Sequence, residues 1–202
     1  MKEGWKYIET KLSEEEILNL LDLKIENVNV KKIELYQNKD SIAKLSLSKI
    51  YKDDEYPFHN DGVQYLIPPK YIVLQNDTNN QYKTKTLLID GFKLAEQNKP
   101  LFYNSIFRIR GNNGYTERTA IINFDKIPNH TIIRFNPVIM DSIILHKKDK
   151  VLECLKNYKN IIEIEWKPYS TLIIDNWRFL HSRAKNVDLD LKREIIRTEI
   201  YI

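Results

Sequence analysis

The sequence predicts a mostly β domain, an antiparallel sandwich or barrel with a few peripheral helices. Short runs of alternating or β-branched apolar residues recur along the chain, whereas only a few segments have a helical period. Many short strands with few helices are typical of antiparallel sandwiches and barrels. A chain of 202 residues can form one substantial core but is too short for two comfortable domains, so we expect a single domain over residues 1–202.

Eight stretches have the alternation or apolar composition of strands. They are residues 26–36, 71–76, 105–110, 118–124, 131–135, 161–166, 170–175 and 193–202.

Three further segments predict helices at the edge of this β framework. In the first, "LSEEEILNLLDL" near the N-terminus, Ser13 can cap a short helix and Glu16 completes a capping box. The second covers residues 90–98 and the third residues 147–160. In the third segment Val151 and Leu155 fall on one helical face, as an amphipathic helix requires.

Composition narrows the class of partner. Hydrophobic residues make up 42% and charged residues 30%, and the net charge of +4 is spread along the chain, which argues against a nucleic-acid partner. No apolar run approaches the roughly 18 residues that span a membrane, and the first ten residues lack the apolar core of a secretion signal. The single cysteine, Cys154, fits a reducing compartment, so we expect a cytoplasmic protein.

The segment "YPFHNDGVQYLIPP" contains a possible pair of metal ligands, His59 and Asp61. In an extended chain residues i and i+2 project to the same face, so the imidazole and the carboxylate can meet at one point. They supply two of the three ligands of the two-histidine, one-carboxylate triad that holds non-haem Fe(II). Such pairs are also common without a metal, so this pattern alone is weak.

A second histidine would have to come from His130, His146 or His181. His146 adjoins a lysine-rich helix start, so we expect its side chain to be exposed. His130 follows "IPN", a position typical of a turn residue. His181 closes the segment "STLIIDNWRFLH", in which a buried strand leads into a polar turn, and it is the favoured candidate. In the strand that follows, Arg193 and Arg197 are four residues apart and project to one side.

Four segments, taken in order, resemble the Fe(II)/2-oxoglutarate-dependent oxygenases of the taurine dioxygenase type (TauD/TfdA, clavaminate synthase-like). They are "FHNDGVQYLIPPKYIVLQ", "KTKTLLIDGFKLAEQ", "LIIDNWRFLHSR" and "KREIIRTEI". The resemblance implies a double-stranded β-helix (jelly roll) with His59, Asp61 and His181 as the Fe(II) ligands. It also implies that Thr86 and Arg193 contact the cosubstrate 2-oxoglutarate.

Other residues receive less definite roles from the resemblance. Arg197 either binds an anionic group of the substrate or braces Asp175 or another buried carboxylate. Apart from the resemblance, Asn-Gly at 113–114 in the loop "RGNNGYTER" predicts a tight hairpin that could bring Asn112, Asn113 or Tyr115 to the substrate. The interval from His59 to His181 looks short for the family, which implies a reduced lid.

The expected activity is hydroxylation or desaturation of a small polar molecule, such as an amino acid or a derivative, with O2 consumed and 2-oxoglutarate converted to succinate. Asp61 favours these reactions over halogenation, because the halogenating relatives have a small residue in place of the carboxylate. Two alternatives stay open. One is a jelly-roll binding or accessory domain that keeps the site but lacks turnover, and the other is a hydrolytic zinc site in the same triad.

Overall fold

A computed structural model describes residues 1–33, 47–111, 114–123, 130–143, 147–187 and 194–202. The helices are α1 (Glu14–Leu20), α2 (Leu47–Tyr51), α3 (Gly91–Gln97), α4 (Lys99–Tyr103) and α5 (Lys147–Asn157), with a 3-10 turn at Ile25–Asn27. The strands are β1 (Trp5–Ile8), β2 (Asn29–Ile33), β3 (Tyr71–Asn76), β4 (Tyr82–Asp90), β5 (Ile106–Gly111), β6 (Gly114–Ala120), β7 (Ile122–Asn123), β8 (Ile132–Ile133), β9 (Met140–Ser142), β10 (Ile162–Trp166), β11 (Thr171–Asp175), β12 (Phe179–Arg183) and β13 (Ile195–Tyr201).

Two antiparallel sheets form the centre of the fold. The larger sheet has the strand order β1-β11-β3-β13-β2, and the smaller one has the order β10-β4-β12. One core cluster contains side chains from both sheets, among them Leu172 and Ile174 of β11 and Leu88 of β4. The sheets therefore pack face to face around a shared apolar layer, in which Trp166 is fully buried.

Helix α1 covers the outer face of the larger sheet. Its Ile17 and Leu18 pack against Val73 and Ile173, which point away from the shared core because neighbouring strand residues alternate between faces. Burial of each such side chain contributes roughly 1.5–3 kcal/mol. The predicted capping box at Ser13 is present and begins the helix at Glu14.

A third core cluster covers the outer face of the smaller sheet. It joins Ile89 of β4 and Leu180 of β12 to residues of the helices α3, α4 and α5 and to the sheet formed by β6, β5 and β9. The layers are thus helix, sheet, sheet and helices. The smaller sheet is covered on both faces, and its strands β4 and β12 pair in the middle of the molecule.

The predicted β architecture with peripheral helices is confirmed, as is β3 at residues 71–76. The strand predicted at 26–36 was partly wrong, because residues 25–27 form a 3-10 turn and β2 starts at Asn29, and its residues 34–36 lie outside the described residues. Strands β4 and β12 did not stand out from the sequence pattern alone. No helix in the described ranges is both long enough and apolar enough to cross a membrane.

Candidate metal centre

His59 and His181 are directly opposed across an antiparallel bridge. The amide of His59 donates to the carbonyl of His181, and the amide of His181 donates to the carbonyl of His59, each at 2.9 Å. Side chains of directly opposed residues lie on the same face and close together. The two imidazole rings are accordingly 4.3 Å apart between centroids, and both are buried.

Asp61 completes the cluster from two residues beyond His59. Its Oδ1 lies 3.8 Å from Nε2 of His59, and its Oδ2 lies 3.4 Å from Nε2 of His181. One ligand atom from each of the three residues falls within 4.8 Å of the other two. The structure thus brings together the three residues that the sequence singled out.

His59 is held in the form that binds a cation. Its Nδ1 lies 2.8 Å from the carbonyl oxygen of Pro57, which only accepts, so Nδ1 carries the proton and Nε2 presents its lone pair to the cluster. Burial, together with the electrostatic effect of the neighbouring His181, lowers the pKa of His59 to about 3. The imidazole is therefore neutral at physiological pH.

The carboxylate of Asp61 is anionic and incompletely satisfied. Burial alone would raise its pKa, but the guanidinium of Arg197 and the two imidazoles outweigh burial and hold the pKa well below its usual range. Nη1 of Arg197 donates to Oδ1 at 3.0 Å. Oδ2 is buried and has no hydrogen-bond partner among the described residues.

These features fit a divalent cation. A buried anionic oxygen without a partner is unfavourable, and a cation bound between Oδ2 and the two Nε2 atoms would remove that cost. Two neutral imidazoles and one carboxylate are a donor set that suits Fe(II). The cluster would hold such an ion through His59, Asp61 and His181.

Arg197 forms an ion pair with a buried carboxylate other than Asp175, the one that the sequence analysis names. It pairs with Asp61 and lies 3.3 Å from Oε1 of Glu199. Asp175 instead pairs with Lys70 at 2.7 Å and accepts from the amide of Trp177, which shapes the turn before His181. The Asp175 option for Arg197 is therefore wrong.

Thr86 lies on the sheet face that carries His181. His181 is paired with Leu88 of β4, and the next pair on that face is Arg183 with Thr86. Thr86 is buried, and its Oγ1 accepts a hydrogen bond of 3.0 Å from Nε1 of Trp166. Its hydroxyl therefore belongs to the residue two positions before Leu88, which is the strand partner of the candidate ligand His181.

For three of the predicted site residues the structure describes no side chain. Arg193 and Asn113 lie outside the described residues. Tyr115 belongs to β6, which forms the predicted hairpin with β5, but its side chain is not described. Their roles towards cosubstrate and substrate stay predictions.

Two buried asparagines of the site were missed or undervalued from the sequence. Asn60, between the two candidate ligands, receives no role from the sequence, and Asn176 lies in the polar turn that precedes His181. Both side chains are fully buried and bond the backbone around the cluster. For Asn176 the available signal was its position directly after the apolar, buried-looking run 170–175, whereas Asn60 has no such strand beside it.

Gly62, directly after Asp61, has a backbone conformation that only glycine adopts easily. Its φ is +69°, and an added Cβ would lie 2.5 Å from Cδ of Pro69. We expect Gly62→Ala to lower the free energy of unfolding by about 2 kcal/mol and to weaken Mn(II) binding about tenfold, because the strain acts on a ligand's neighbour. Thermal unfolding and calorimetric titration measure the two effects.

Gly4 is the matched control for this variant. Its φ is +81°, and an added Cβ would lie 2.6 Å from Cε2 of Phe179. Gly4→Ala should therefore cost similar stability and leave Mn(II) affinity unchanged. Equal losses of metal affinity in both variants would contradict a local effect on Asp61.

Comparison with known proteins defines the fold. No protein-family model matches the sequence, and no curated protein matches it. Among solved structures, the chain is similar to PvcB, described as an Fe, alpha-ketoglutarate dependent oxygenase from an isonitrile synthetic pathway. The TM-score is 0.62 and the identity 15%, over 99% of this chain and 76% of that one.

Two further structures extend this similarity. A taurine dioxygenase from Burkholderia xenovorans has a TM-score of 0.65 and 16% identity, over 97% of this chain and 76% of that one. An asparagine oxygenase in complex with Fe(II), 2S,3S-3-hydroxyasparagine and succinate has a TM-score of 0.54 and 12% identity, over 74% of this chain and 50% of that one. The chain thus has the jelly-roll fold of the Fe/2-oxoglutarate oxygenases of the taurine dioxygenase type.

Proposed function

We propose that this chain is an Fe(II)/2-oxoglutarate-dependent oxygenase that hydroxylates or desaturates a small polar molecule. The observation that carries the proposal is the buried cluster of His59, Asp61 and His181, with an unsatisfied carboxylate oxygen at its centre. Its occurrence on the fold of known Fe/2-oxoglutarate oxygenases supports this choice over a structural His–Asp cluster.

The protein's own groups would bind and orient the reactants. The imidazoles of His59 and His181 and the carboxylate of Asp61 would hold the ion from one side and leave room for a bidentate 2-oxo acid and for O2. When bound, Fe(II) supplies oxidation by O2 coupled to decarboxylation: 2-oxoglutarate, O2 and a C–H bond become succinate, CO2 and an alcohol. Leu88 of the shared apolar core is the strand partner of His181, so this core would limit access of water on that side.

Thr86 and Arg193 are the proposed contacts of the distal carboxylate of 2-oxoglutarate. The position of Thr86 on the sheet face of His181 supports its part, since a hydroxyl there can donate to an anion beside the metal. An arginine suits such a carboxylate because its planar fork donates two parallel hydrogen bonds and does not lose its proton. The part of Arg193 in this proposal is supported by the sequence alone.

The substrate class follows from the similar proteins and not from this chain's own loops. One of the similar structures is a taurine dioxygenase, and another is an asparagine oxygenase with a hydroxylated amino acid bound. An amino acid or a derivative is therefore the first class to screen. Binding of such a substrate at Asn113 or Tyr115 stays part of the proposal.

The test combines a spectroscopic and a chemical measurement. Addition of 2-oxoglutarate to the anaerobic Fe(II) protein should produce a weak visible charge-transfer band, and exposure to air should release succinate. Thr86→Val should raise the KM for 2-oxoglutarate about tenfold, since a hydrogen bond to a charged group contributes about 1.5–3 kcal/mol, while Thr86→Ser should stay near wild type.

The outcomes separate the candidate functions. Bound Fe(II) with neither the band nor succinate would indicate a binding or accessory domain. Hydrolytic activity with Zn(II) that is independent of 2-oxoglutarate would indicate the zinc enzyme. Either result would refute the oxygenase proposal.

A further inference from the structure

Asn176 pairs with the backbone of Asp61 as a neighbouring strand would. Its Oδ1 accepts a hydrogen bond from the amide of Asp61, and its Nδ2 donates to the carbonyl of Asp61, each at 3.0 Å. The second proton of Nδ2 goes to the carbonyl of Pro69 at 2.9 Å. Both protons of Nδ2 and the oxygen Oδ1 of this fully buried amide are used, and two of these three hydrogen bonds hold one residue.

Asn60 makes the reciprocal connection from the other side. Its Nδ2 donates to the carbonyls of Asn176 at 2.7 Å and of Phe179 at 2.9 Å, and its Oδ1 accepts from the amide of Phe135 at 3.1 Å. The side chain of Asn60 thus bonds the turn 176–179, and the side chain of Asn176 bonds the segment 59–61. We call Asn60 and Asn176 the asparagine clamp.

The clamp acts where regular pairing ends. His59 and His181 form an isolated bridge, and no ladder described in the structure continues from it to Asp61. The backbone bridge orients the two imidazoles, but it does not orient a residue two positions farther on. The amide of Asn176 satisfies both peptide groups of Asp61 and so fixes the direction of its Cα–Cβ bond.

We propose that Asn176, supported by Asn60, is a positioning residue for the metal: it aims the carboxylate of Asp61 at the point between His59 and His181. This inference rests on the proposed metal role of those three residues. Asn176 itself is not one of the three candidate ligands. Its effect is exerted through the backbone of Asp61.

The experiment uses Asn176→Asp in the full chain. Aspartate keeps the shape and the acceptor but replaces both donated hydrogen bonds by repulsion from carbonyls. We expect the Mn(II) affinity, measured by calorimetry, to fall about 10–100-fold, as is typical for groups that orient metal ligands. The visible spectrum of the Co(II) form should change as well, because it reports the geometry of the ligands.

Asn76 provides the matched control. It is a fully buried asparagine at the far end of β3, and its Nδ2 likewise donates to two carbonyls, those of Asn80 and Lys167. Asn76→Asp should lower the melting temperature but leave Mn(II) affinity and the Co(II) spectrum unchanged. Asn176→Ser serves as the second variant if Asn176→Asp does not fold.

The outcomes distinguish the two levels of the argument. Wild-type protein that binds no metal would overturn the proposed function and this inference together. Wild-type protein that binds Mn(II), with variants of Asn176 that bind it equally well and give the same Co(II) spectrum, would overturn the positioning role alone. Equal losses of affinity in the variants of Asn176 and Asn76 would reduce Asn176 to a general stabilising residue.

Discussion

Replacement of Asp61 by alanine is expected to lower Mn(II) or Fe(II) affinity on the order of 1,000-fold and to abolish succinate release. Loss of a group behind a ligand typically costs about 10–100-fold in affinity, and Asp61 is the one carboxylate of the described cluster and its one negative charge. The two imidazoles that remain carry no negative charge, so nothing in the cluster would balance the cation. Isothermal titration with Mn(II) and a succinate assay measure both effects.

Asp90→Ala separates this effect from the removal of any buried carboxylate. Asp90 is 6% exposed and pairs with Arg178 at 2.6 Å, much as Asp61 is 8% exposed and pairs with Arg197 at 3.0 Å. Both variants should lose stability, and only the first should lose the metal. An Asp61→Ala protein that is folded by circular dichroism and binds Mn(II) within tenfold of wild type would rule out Asp61 as a ligand.

Local rules explain how much of the site the sequence predicts. The pairing of His59 with Asp61 follows from the two-residue period of an extended chain, and the helix at Ser13 follows from its cap. The contribution of His181 depends on which strand lies opposite residue 59. No local pattern contains that information; the buried-looking segment that His181 closes made it the favoured histidine, and the resemblance to a family then gave it the role of a ligand.

The partners of Arg197 and the asparagine clamp depend on long-range register. Arg197 is opposite Leu74 on β3, and this register, together with the inward face of β13, brings its guanidinium to Asp61. A shift by one residue would turn the side chain to the outer face beside α1. Likewise, Asn60 and Asn176 are 116 positions apart, so no local sequence pattern predicts the hydrogen bond between them.

Loss of the guanidinium of Arg197 is the second large effect that we expect. Arg197→Ala would leave the buried carboxylates of Asp61 and Glu199 without their shared cation. Breaking a buried ion pair by removing one partner costs about 3–5 kcal/mol, so we expect the metal-free protein to lose about 3 kcal/mol of unfolding free energy. Urea denaturation in the presence of a chelator measures this loss.

Metal should restore part of that stability, because a divalent cation provides the countercharge that Asp61 has lost. A ligand at about 100 times its dissociation constant stabilises by about 2.7 kcal/mol, and here the relief of Asp61 adds to it. The deficit of Arg197→Ala relative to wild type should therefore be smaller with saturating Mn(II) than with chelator. Arg197→Lys keeps the charge but not the planar fork, so its free energy of unfolding should lie between those of wild type and Arg197→Ala.

Arg178 supplies the comparison that decides the role of Arg197. The two side chains have nearly the same exposure, 27% and 28%, and each pairs with a buried aspartate, but the partner of Arg178 is Asp90. Arg178→Ala should lose stability by an amount that Mn(II) does not change. If Arg197 served only to bind an anionic substrate, the free energy of unfolding of Arg197→Ala without metal would lie within about 0.5 kcal/mol of the wild-type value, as for surface substitutions. The variant would then raise only the KM for substrate.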